Sequence, residues 1–375
     1  MPRAVARSAI AAAALLCAAY VAGARAPGGA RSALDSARDL LAQGADPADP
    51  AVQALVGKAL RRDVTIPAGI EMLALARESR GDPPAAARLY RLSDRISRRS
   101  LPTRLWLAQE AVERGDVAAT LAHMDIALRT SSAAPTLVFP ALARGLEDAA
   151  LVEPIAALVD RPSDWREAFL IYLAERAEPE SAAALFLAVR DRRLILKNEL
   201  DRTVIARLVD DGQFSLAGRT DRAFASNANE APLVADGQFD NPAARYPFGW
   251  GITDTREIGA SRDVEDGRSV LAYHANSAEG GQVAAQLLML QQGRYVLETG
   301  ASPAQRSDAP PLWVLSCAGQ ERVIATIALV PDSNGRSASR FAVPAGCPAQ
   351  WLSLAVRPAL APQSGRVDHV RIARQ

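Results

Sequence analysis

The segment LALARESRGD at residues 73–82 decides how the first half of this chain folds, because its main features return in LAQEAVERGD at residues 107–116. Gly81-Asp82 and Gly115-Asp116 lie 34 residues apart, and Leu-Ala opens each segment. A fixed period near 34 residues is typical of a solenoid of helix–turn–helix units, a class of fold that binds partners. The repeat therefore indicates architecture more directly than it indicates a biochemical act.

Glycines and prolines around the repeat place the helix boundaries. A glycine after a helical run favours a helix end, and a proline is tolerated in the first turn, where its missing N–H costs no hydrogen bond. Gly81 and Gly115 end helices, whereas Pro83 or Pro84 and Pro102 begin them. The pattern predicts four helices, at 68–80, 83–99, 103–114 and 117–130.

These four helices resemble two tetratricopeptide repeats, and the resemblance covers residues 67–134. That family places small residues where the two helices of a repeat cross, and a larger apolar residue in the second helix. The matching residues are Ala74, Ala86 and Tyr90 in the first unit and Ala108, Thr120 and Met124 in the second. Arg77 and Ala111 stand where the family has tyrosine. The alternative is a pair of generic helical hairpins with coincidental spacing.

Helical periodicity continues past Pro135 and predicts five more helices, at 136–149, 152–159, 164–175, 179–190 and 198–211. A polar segment at 25–50, with a short helix at 32–43, precedes a solenoid that we place at 51–216. We expect the concave side of the solenoid to bind a protein partner. The first-helix residues predicted to line that groove are Glu71, Arg77, Arg104 and Gln109.

The composition changes at 217–232, where Gly, Arg, Ser, Asn and Asp without periodicity predict a linker. About eight short segments bounded by Gly, Pro, Asn and Asp follow, and they predict β-strands. Apolar and polar residues alternate most clearly in WLSLAV at 351–356. The predicted fold is thus α+β and multidomain, with an N-terminal all-α helical-repeat solenoid and a C-terminal all-β jelly-roll sandwich at 233–375.

Two motifs of the second half resemble the opening of carbohydrate-binding-module-like, or galactose-binding-like, β-sandwiches. They are DGQFD at 236–240 and YPFGW at 246–250, and Gln286, the turn at 292–295 and the segment at 367–372 agree with them. The resemblance implies a jelly roll with a glycan as its ligand. In some relatives one acid of the first strand and one of the last hold a structural calcium ion, and Asp240 and Asp368 match those positions.

Aromatic faces combined with a few polar groups form the usual recognition surface for a sugar. The candidate glycan-binding residues are Trp250, Tyr273, Asn276, Trp313 and Trp351. Each tryptophan has an alternative interpretation as a core residue. Tyr273 and Asn276, at the end of a predicted strand, are expected to form the most exposed cluster.

The N-terminus predicts export. Arg3 and Arg7 precede an uncharged apolar run at 8–23, which is typical of a secretory signal peptide, and we expect cleavage after Ala24. An uncleaved anchor in the inner membrane is the alternative, so the predicted location is the periplasm or the cell envelope. Outside this segment the only cysteines are Cys317 and Cys347, and export favours a disulfide between them over two separate buried thiols.

The chain offers little chemistry for catalysis. Its 43 Lys and Arg residues balance 42 Asp and Glu residues, so there is no overall attraction to nucleic acid or to an anionic membrane. His123, His274 and His369 lack metal-ligand spacing, and neither a nucleophile elbow nor a phosphate-binding glycine-rich loop occurs. We therefore expect a protein without enzymatic activity, cofactor or bound metal.

The function predicted from these features is that of a cell-envelope scaffold or adaptor. The helical repeats would bind a protein partner and the sandwich a glycan, in the setting of polysaccharide assembly or export. Two alternatives remain at this point. One is a carbohydrate-active enzyme or its accessory subunit, and the other is a purely structural subunit of a membrane complex.

Overall fold

The computed structural model describes residues 29–225, 232–241, 244–276, 280–301, 309–320, 322–359 and 361–375. The predicted signal peptide at 1–24 lies outside these residues. The chain divides between Leu200 and Asp201 into two compact units. Helices occupy the N-terminal part and a two-sheet sandwich the C-terminal part, so the predicted α+β class is confirmed.

The first unit is built from helices that follow one another with short turns. In chain order they are α1 (Gly29–Ala42), α2 (Pro50–Arg62), α3 (Pro67–Ser79), α4 (Pro83–Ile96), α5 (Leu101–Glu113), α6 (Val117–Thr130), α7 (Ala134–Gly145), α8 (Ala149–Val159), α9 (Arg166–Arg176), α10 (Pro179–Ala188) and α11 (Arg193–Lys197). The four helices predicted from the repeat are α3 to α6. The helix predicted at 136–149 ends earlier, because the Asp148 carboxylate accepts a hydrogen bond from Ala150 N at 2.9 Å and so begins α8.

The two Gly-Asp pairs make the same turn twice. Gly81 and Gly115 have φ angles of 71° and 73°, the left-handed conformation that ends a helix at low cost when the residue is glycine. The aspartate that follows caps the next helix. Asp82 accepts from Ala85 N at 3.1 Å and Asp116 from Ala119 N at 2.9 Å. The sequence repeat is therefore a structural repeat, with α3 paired to α4 and α5 paired to α6.

A buried carboxylate joins three helices of this unit. Glu71 Oε1, on α3, accepts hydrogen bonds from Ser93 Oγ of α4 at 2.9 Å and from Thr103 Oγ1 of α5 at 2.7 Å. Ser100, immediately before α5, is a third donor to the same oxygen. Because hydrogen bonds to a charged acceptor are stronger than neutral ones, this cluster fixes the spacing of the three helices.

Replacing Glu71 should destabilise the helical unit. In Glu71→Ala the buried hydroxyls of Ser93 and Thr103 lose their shared acceptor, and we expect a loss of about 2–4 kcal/mol in the free energy of unfolding. Urea denaturation followed by far-UV circular dichroism measures it. Glu153→Ala, at an exposed position of α8, is the matched control and should change stability by less than about 0.5 kcal/mol. Equal stability of the two variants would show that the cluster does not hold the helices.

In the described residues of the second unit there are two helices and ten strands. The helices are α12 (Leu200–Asp210) and α13 (Phe214–Phe224). The strands are β1 (Gly251–Ile252), β2 (Ile258–Glu265), β3 (Arg268–Ala275), β4 (Gly281–Leu288), β5 (Gly293–Ala301), β6 (Leu312–Cys317), β7 (Val323–Ala328), β8 (Arg336–Val343), β9 (Gln350–Val356) and β10 (Gln363–Arg374). They form two antiparallel five-stranded sheets, ordered β1-β4-β9-β6-β7 and β2-β3-β10-β5-β8.

The core of the sandwich lies between these sheets, and the motif at 236–240 closes one end of it. Phe239 packs on Trp250 with ring centroids 5.6 Å apart, and Trp250 packs on Trp313 at 5.8 Å. The Trp250 indole N–H donates to the carbonyl of Asp236 at 3.0 Å. Gln286 is fully buried and exchanges two hydrogen bonds, of 3.1 and 2.8 Å, with the backbone of Ala235. The motif residues therefore serve packing.

A second glutamine anchors the adjacent strand of the same sheet, two residues along the register from Gln286. Gln350, also fully buried, accepts from Leu290 N at 2.9 Å and donates to Leu290 O at 3.2 Å. Both glutamines satisfy backbone groups of segments that have no ladder partner at that point, which a buried polar group must do to avoid a desolvation cost.

The linker predicted at 217–232 is wrong over its first half, because α13 extends to Phe224. Residues 226–231 lie outside the described residues. Phe214, Ala217 and Phe224 are buried, and Phe214 clusters with Leu287, Ala318 and Ala349 of the sandwich. The Gly, Arg and Asp residues between these buried residues are typical of a linker, so composition does not predict the helix. Tertiary packing stabilises it.

The predicted disulfide between Cys317 and Cys347 is confirmed, and it joins the end of β6 to the turn before β9 over 30 residues. Cys317→Ser with Cys347→Ser should lower the free energy of unfolding of the sandwich by about 3–4 kcal/mol, the loop-closure entropy that the link removes from the unfolded chain. Thermal unfolding with and without reductant measures this loss. A double variant with the same melting temperature as the oxidised wild type would contradict the expectation. As a control, reductant should leave the melting temperature of the double variant unchanged.

Candidate functional site

Three of the predicted glycan-binding residues point into the core. Trp313 is 0% exposed, Tyr273 is 5% exposed, and Trp250 is buried with them. The expectation that Tyr273 is exposed is therefore wrong. On β3 every second side chain, those of Leu271, Tyr273 and Ala275, points into the core. Burial raises the pKa of the Tyr273 hydroxyl.

Asn276 is exposed but serves the turn beside it. Its Nδ2 donates to the carbonyl of Arg256 at 2.7 Å, and its backbone N–H donates to Glu257 O at 2.7 Å. The neighbouring His274 ring lies 3.1 Å from the carbonyl of Thr255. The polar groups at this end of the second sheet therefore bond within the turn. The structure does not bring Asn276 together with the candidate tryptophans on one surface.

Trp351 is the predicted aromatic residue that the structure places at a surface. Along β9, Leu352, Leu354 and Val356 enter the core, so Trp351 and Ser353 face outward. Trp351 stacks on Tyr246, with ring centroids 5.7 Å apart and planes inclined by 16°. Tyr246 is 51% exposed, so the pair presents aromatic surface to solvent.

A row of mostly small residues crosses the sheet beside the stack, and two of them, Ala285 and Ser353, are buried. In register across the sheet from β1 to β7 lie Gly251, Ala285, Ser353, Val314 and Thr326. The Tyr246 ring rests on Gly251 so closely that an added Cβ would collide with Tyr246 Cδ2. Next to it, Ser353 Oγ donates to Gln282 Oε1 at 2.8 Å. We call this outer surface of the β1-β4-β9-β6-β7 sheet the aromatic face.

Neighbouring apolar residues and one nearby negative charge set the properties of the stack. Trp351 packs against the cluster of Phe214, Leu287 and Ala349, which fixes its ring. Burial of part of the ring, together with the negative charge of Asp210, raises the pKa of the Tyr246 hydroxyl. Tyr246 is therefore a neutral hydrogen-bond donor and acceptor beside a carboxylate at physiological pH.

An ion-pair network anchors the residue that precedes Tyr246. Asp201 of α12 is 0% exposed, and its Oδ2 accepts from Arg245 at 3.3 Å. Arg202 pairs with Asp221 of α13 at 2.7 Å, and burial raises the pKa of Asp221 although Arg202 partly offsets the effect. The sequence alone does not single out Tyr246, because the exposure of a loop tyrosine depends on where this ion-pair network holds the loop.

The partner-groove residues are not gathered on one open surface. Glu71 and Arg104 are buried, so the prediction that they line a groove is wrong. Arg104 donates to Arg98 O at 3.0 Å and pairs with Asp94, while its other nitrogen lies 3.1 Å from His123 Nδ1.

The other two predicted groove residues are more accessible. Arg77 is exposed, and Gln109, half-buried, donates to Glu113 at 3.0 Å. First-helix positions with polar residues thus split between interhelical contacts and solvent.

The two predicted calcium ligands do not form a metal site in the part of the chain that the structure describes, where no group of three or more His, Cys, Asp or Glu side chains could hold a metal ion. Asp240 is exposed, and Asp368 Oδ1 lies 2.7 Å from His369 Nδ1. Among the same described residues, no helix has the length and apolar character needed to span a bilayer.

Comparisons with known proteins add structural likenesses only. No family profile matches the chain, and a search of curated proteins finds none with significant similarity. The structure is similar to a carbohydrate-binding module, TmCBM61, solved with β-1,4-galactotriose (TM-score 0.27, 12% identity, 39% of this chain and 100% of that chain). It is also similar to a CBM4 module (0.26, 16%, 38% and 99%) and to the enzymatically active domain of tailspike protein 4 of bacteriophage CBA120 (0.29, 14%, 38%).

The chain spans about a fifth of the tailspike, at 21% of that chain. At TM-scores below 0.3, none of these likenesses assigns a ligand or an activity to this protein.

Loss of the Asp201 anchor should loosen the loop that carries Tyr246. In Asp201→Asn the attraction to Arg245 weakens, and we expect faster hydrogen exchange at Gly249, whose N–H bonds Arg245 O at 2.8 Å. Exchange mass spectrometry on peptides covering 244–250 measures the effect. The control is Asp211→Asn, at an exposed turn residue, which should leave these peptides unchanged. Unaltered exchange in Asp201→Asn would show that the loop holds itself.

Proposed function

We propose that this protein is a non-enzymatic scaffold or adaptor of the cell envelope, with a glycan bound on the aromatic face and a protein partner bound by the helical unit. The observation that carries the glycan part is the stack of Tyr246 on Trp351, in which Tyr246 is 51% exposed and Ser353 and the exposed Gln282 lie nearby. An aromatic surface flanked by hydroxyl and amide groups suits the apolar C–H side and the hydroxyls of a sugar ring.

The helical part of the proposal takes α3 to α6 as two tetratricopeptide repeats. Support comes from burial, since the residues that match the family pattern are all buried: Ala74, Ala86, Tyr90, Ala108, Thr120 and Met124. Tyr90 also stacks on Trp106 of the next unit, with ring centroids 4.6 Å apart. Repeats that stack in this way present a continuous surface to a partner.

Export remains part of the same proposal. A disulfide joins β6 to the turn before β9, and such bonds persist in oxidising compartments. The apolar run at 8–23 supplies the route. Polysaccharide assembly or export is the envelope process that a protein with one glycan face and one protein-binding unit would serve.

Binding to a panel of neutral oligosaccharides, measured by titration calorimetry on the full chain, tests the glycan part. Trp351→Ala and Tyr246→Ala should each weaken binding about tenfold or more, because either change removes one ring of the stack, worth about 1–2 kcal/mol. Asn276→Ala, at an exposed residue of the other sheet, is the control and should bind normally. Equal affinity of all three variants would move the site elsewhere, and absence of binding by the wild type would overturn the glycan part.

The same samples test the non-enzymatic part. Incubation with each bound oligosaccharide, followed by a reducing-end assay, should show no release. Turnover that persists in the purified protein would replace the scaffold by a carbohydrate-active enzyme.

A further inference from the structure

β7 is the last strand of the sheet that bears the aromatic face, and no described strand pairs with its outer edge. It reads Val-Ile-Ala-Thr-Ile-Ala and pairs with β6. The backbone of Leu329 donates to Pro311 O at 2.8 Å, and the ladder continues through Trp313↔Ile327 and Leu315↔Ala325. Antiparallel bonds recur at every second residue, so the N–H and C=O of Thr326 point away from β6.

None of the described residues satisfies those groups. Within the described ranges, no backbone or side-chain hydrogen bond reaches the main chain of Thr326, and its side chain is exposed. An open row of strand donors and acceptors is a template for another strand, and proteins commonly guard such rows with charges.

The other described edges carry that protection. β8 has Arg336 and Arg340, and β2 has Arg262, Asp263 and Glu265. β1 is two residues long. β7 has no charged residue at all, and it exposes Val323 at its start. Because β7 carries no charge, it does not favour a charged partner. It also does not repel a second copy of itself.

The order of side chains along β7 fits its own copy in one register. Ala325 and Ile327 lie on the core side, opposite Leu315 and Trp313, whereas Thr326 lies on the outer side. If two copies of β7 run antiparallel with Thr326 opposite Thr326, then Ala325 of each faces Ile327 of the other. Every pair joins residues of the same face, and the small residue meets the large one, as cross-strand packing favours.

We infer that β7 pairs with β7 of a second copy of this chain, about a two-fold axis through Thr326. The pairing is isologous and closes as a dimer. It joins two five-stranded sheets edge to edge, so the aromatic faces become one continuous surface. Five strand spacings, about 24 Å, then separate the two β9 strands that carry Trp351. The pairing itself does not depend on the proposed glycan.

Cysteine trapping tests the pairing directly. Opposite residues of a hydrogen-bonded antiparallel pair have Cα atoms about 5.5 Å apart, a distance that a disulfide spans. Thr326→Cys in the full chain with Cys17→Ser should form a disulfide-linked dimer under mild oxidation. Val264→Cys in the same background is the matched control, because Val264 is 68% exposed on the charged edge strand β2. Cross-linking at 326 no faster than at 264 would overturn the inference.

A charge at the axis tests it independently. Thr326→Lys places two ammonium groups opposite each other in the dimer, and its exposed position leaves the fold intact. Sedimentation of the wild type should show a concentration-dependent dimer, and Thr326→Lys should sediment as a monomer with an unchanged melting temperature. Val264→Lys should dimerise like the wild type. A wild type that stays monomeric at every concentration, or a Thr326→Lys dimer as stable as the wild type's, would sink the pairing.

Discussion

The stack of Tyr246 on Trp351 is the contact on which the candidate site depends, and neither ring could hold it alone. Trp351 is held by Phe214 of α13 and by Leu287 on the neighbouring strand, and Tyr246 is held through the ion pair of Arg245 with Asp201. Only glycine at position 251 lets the tyrosine ring lie this close to the sheet. The surface is therefore preorganised, so a ligand that binds it does not have to order the two rings first.

Buried polar side chains specify the geometry of both units, but they do so in different ways. In the helical unit a single carboxylate, Glu71, gathers hydroxyls from neighbouring helices. In the sandwich two amides, Gln286 and Gln350, each complete a backbone segment that leaves the sheet. An unsatisfied buried group is costly, so such clusters allow one arrangement and penalise slipped ones.

The sequence predicts best what local chemistry decides. Gly81-Asp82 and Gly115-Asp116 end one helix and cap the next through neighbouring atoms, so their spacing was enough to predict α3 to α6. Alternation predicts the strand β9 in the same way, but it leaves Trp351 open between a core position and a surface position. When both faces of a strand are apolar, the alternation of side chains does not show which of them face the core. Tyr273 is for that reason predicted to be exposed, whereas it is buried. The sequence does not predict the exposure of Tyr246 or the helix α13, because both depend on contacts with residues distant in the chain.

The contact of Phe214 with Leu287 and Ala349 changes where this protein should be cut. A fragment that starts at residue 233 would strip the sheet of its helical cover and expose an apolar strip prone to aggregation. One that starts at Asp201 keeps α12 and α13, and with them the tether of Arg245. The portable module, for expression or for grafting onto another protein, is thus a sandwich together with its two helices.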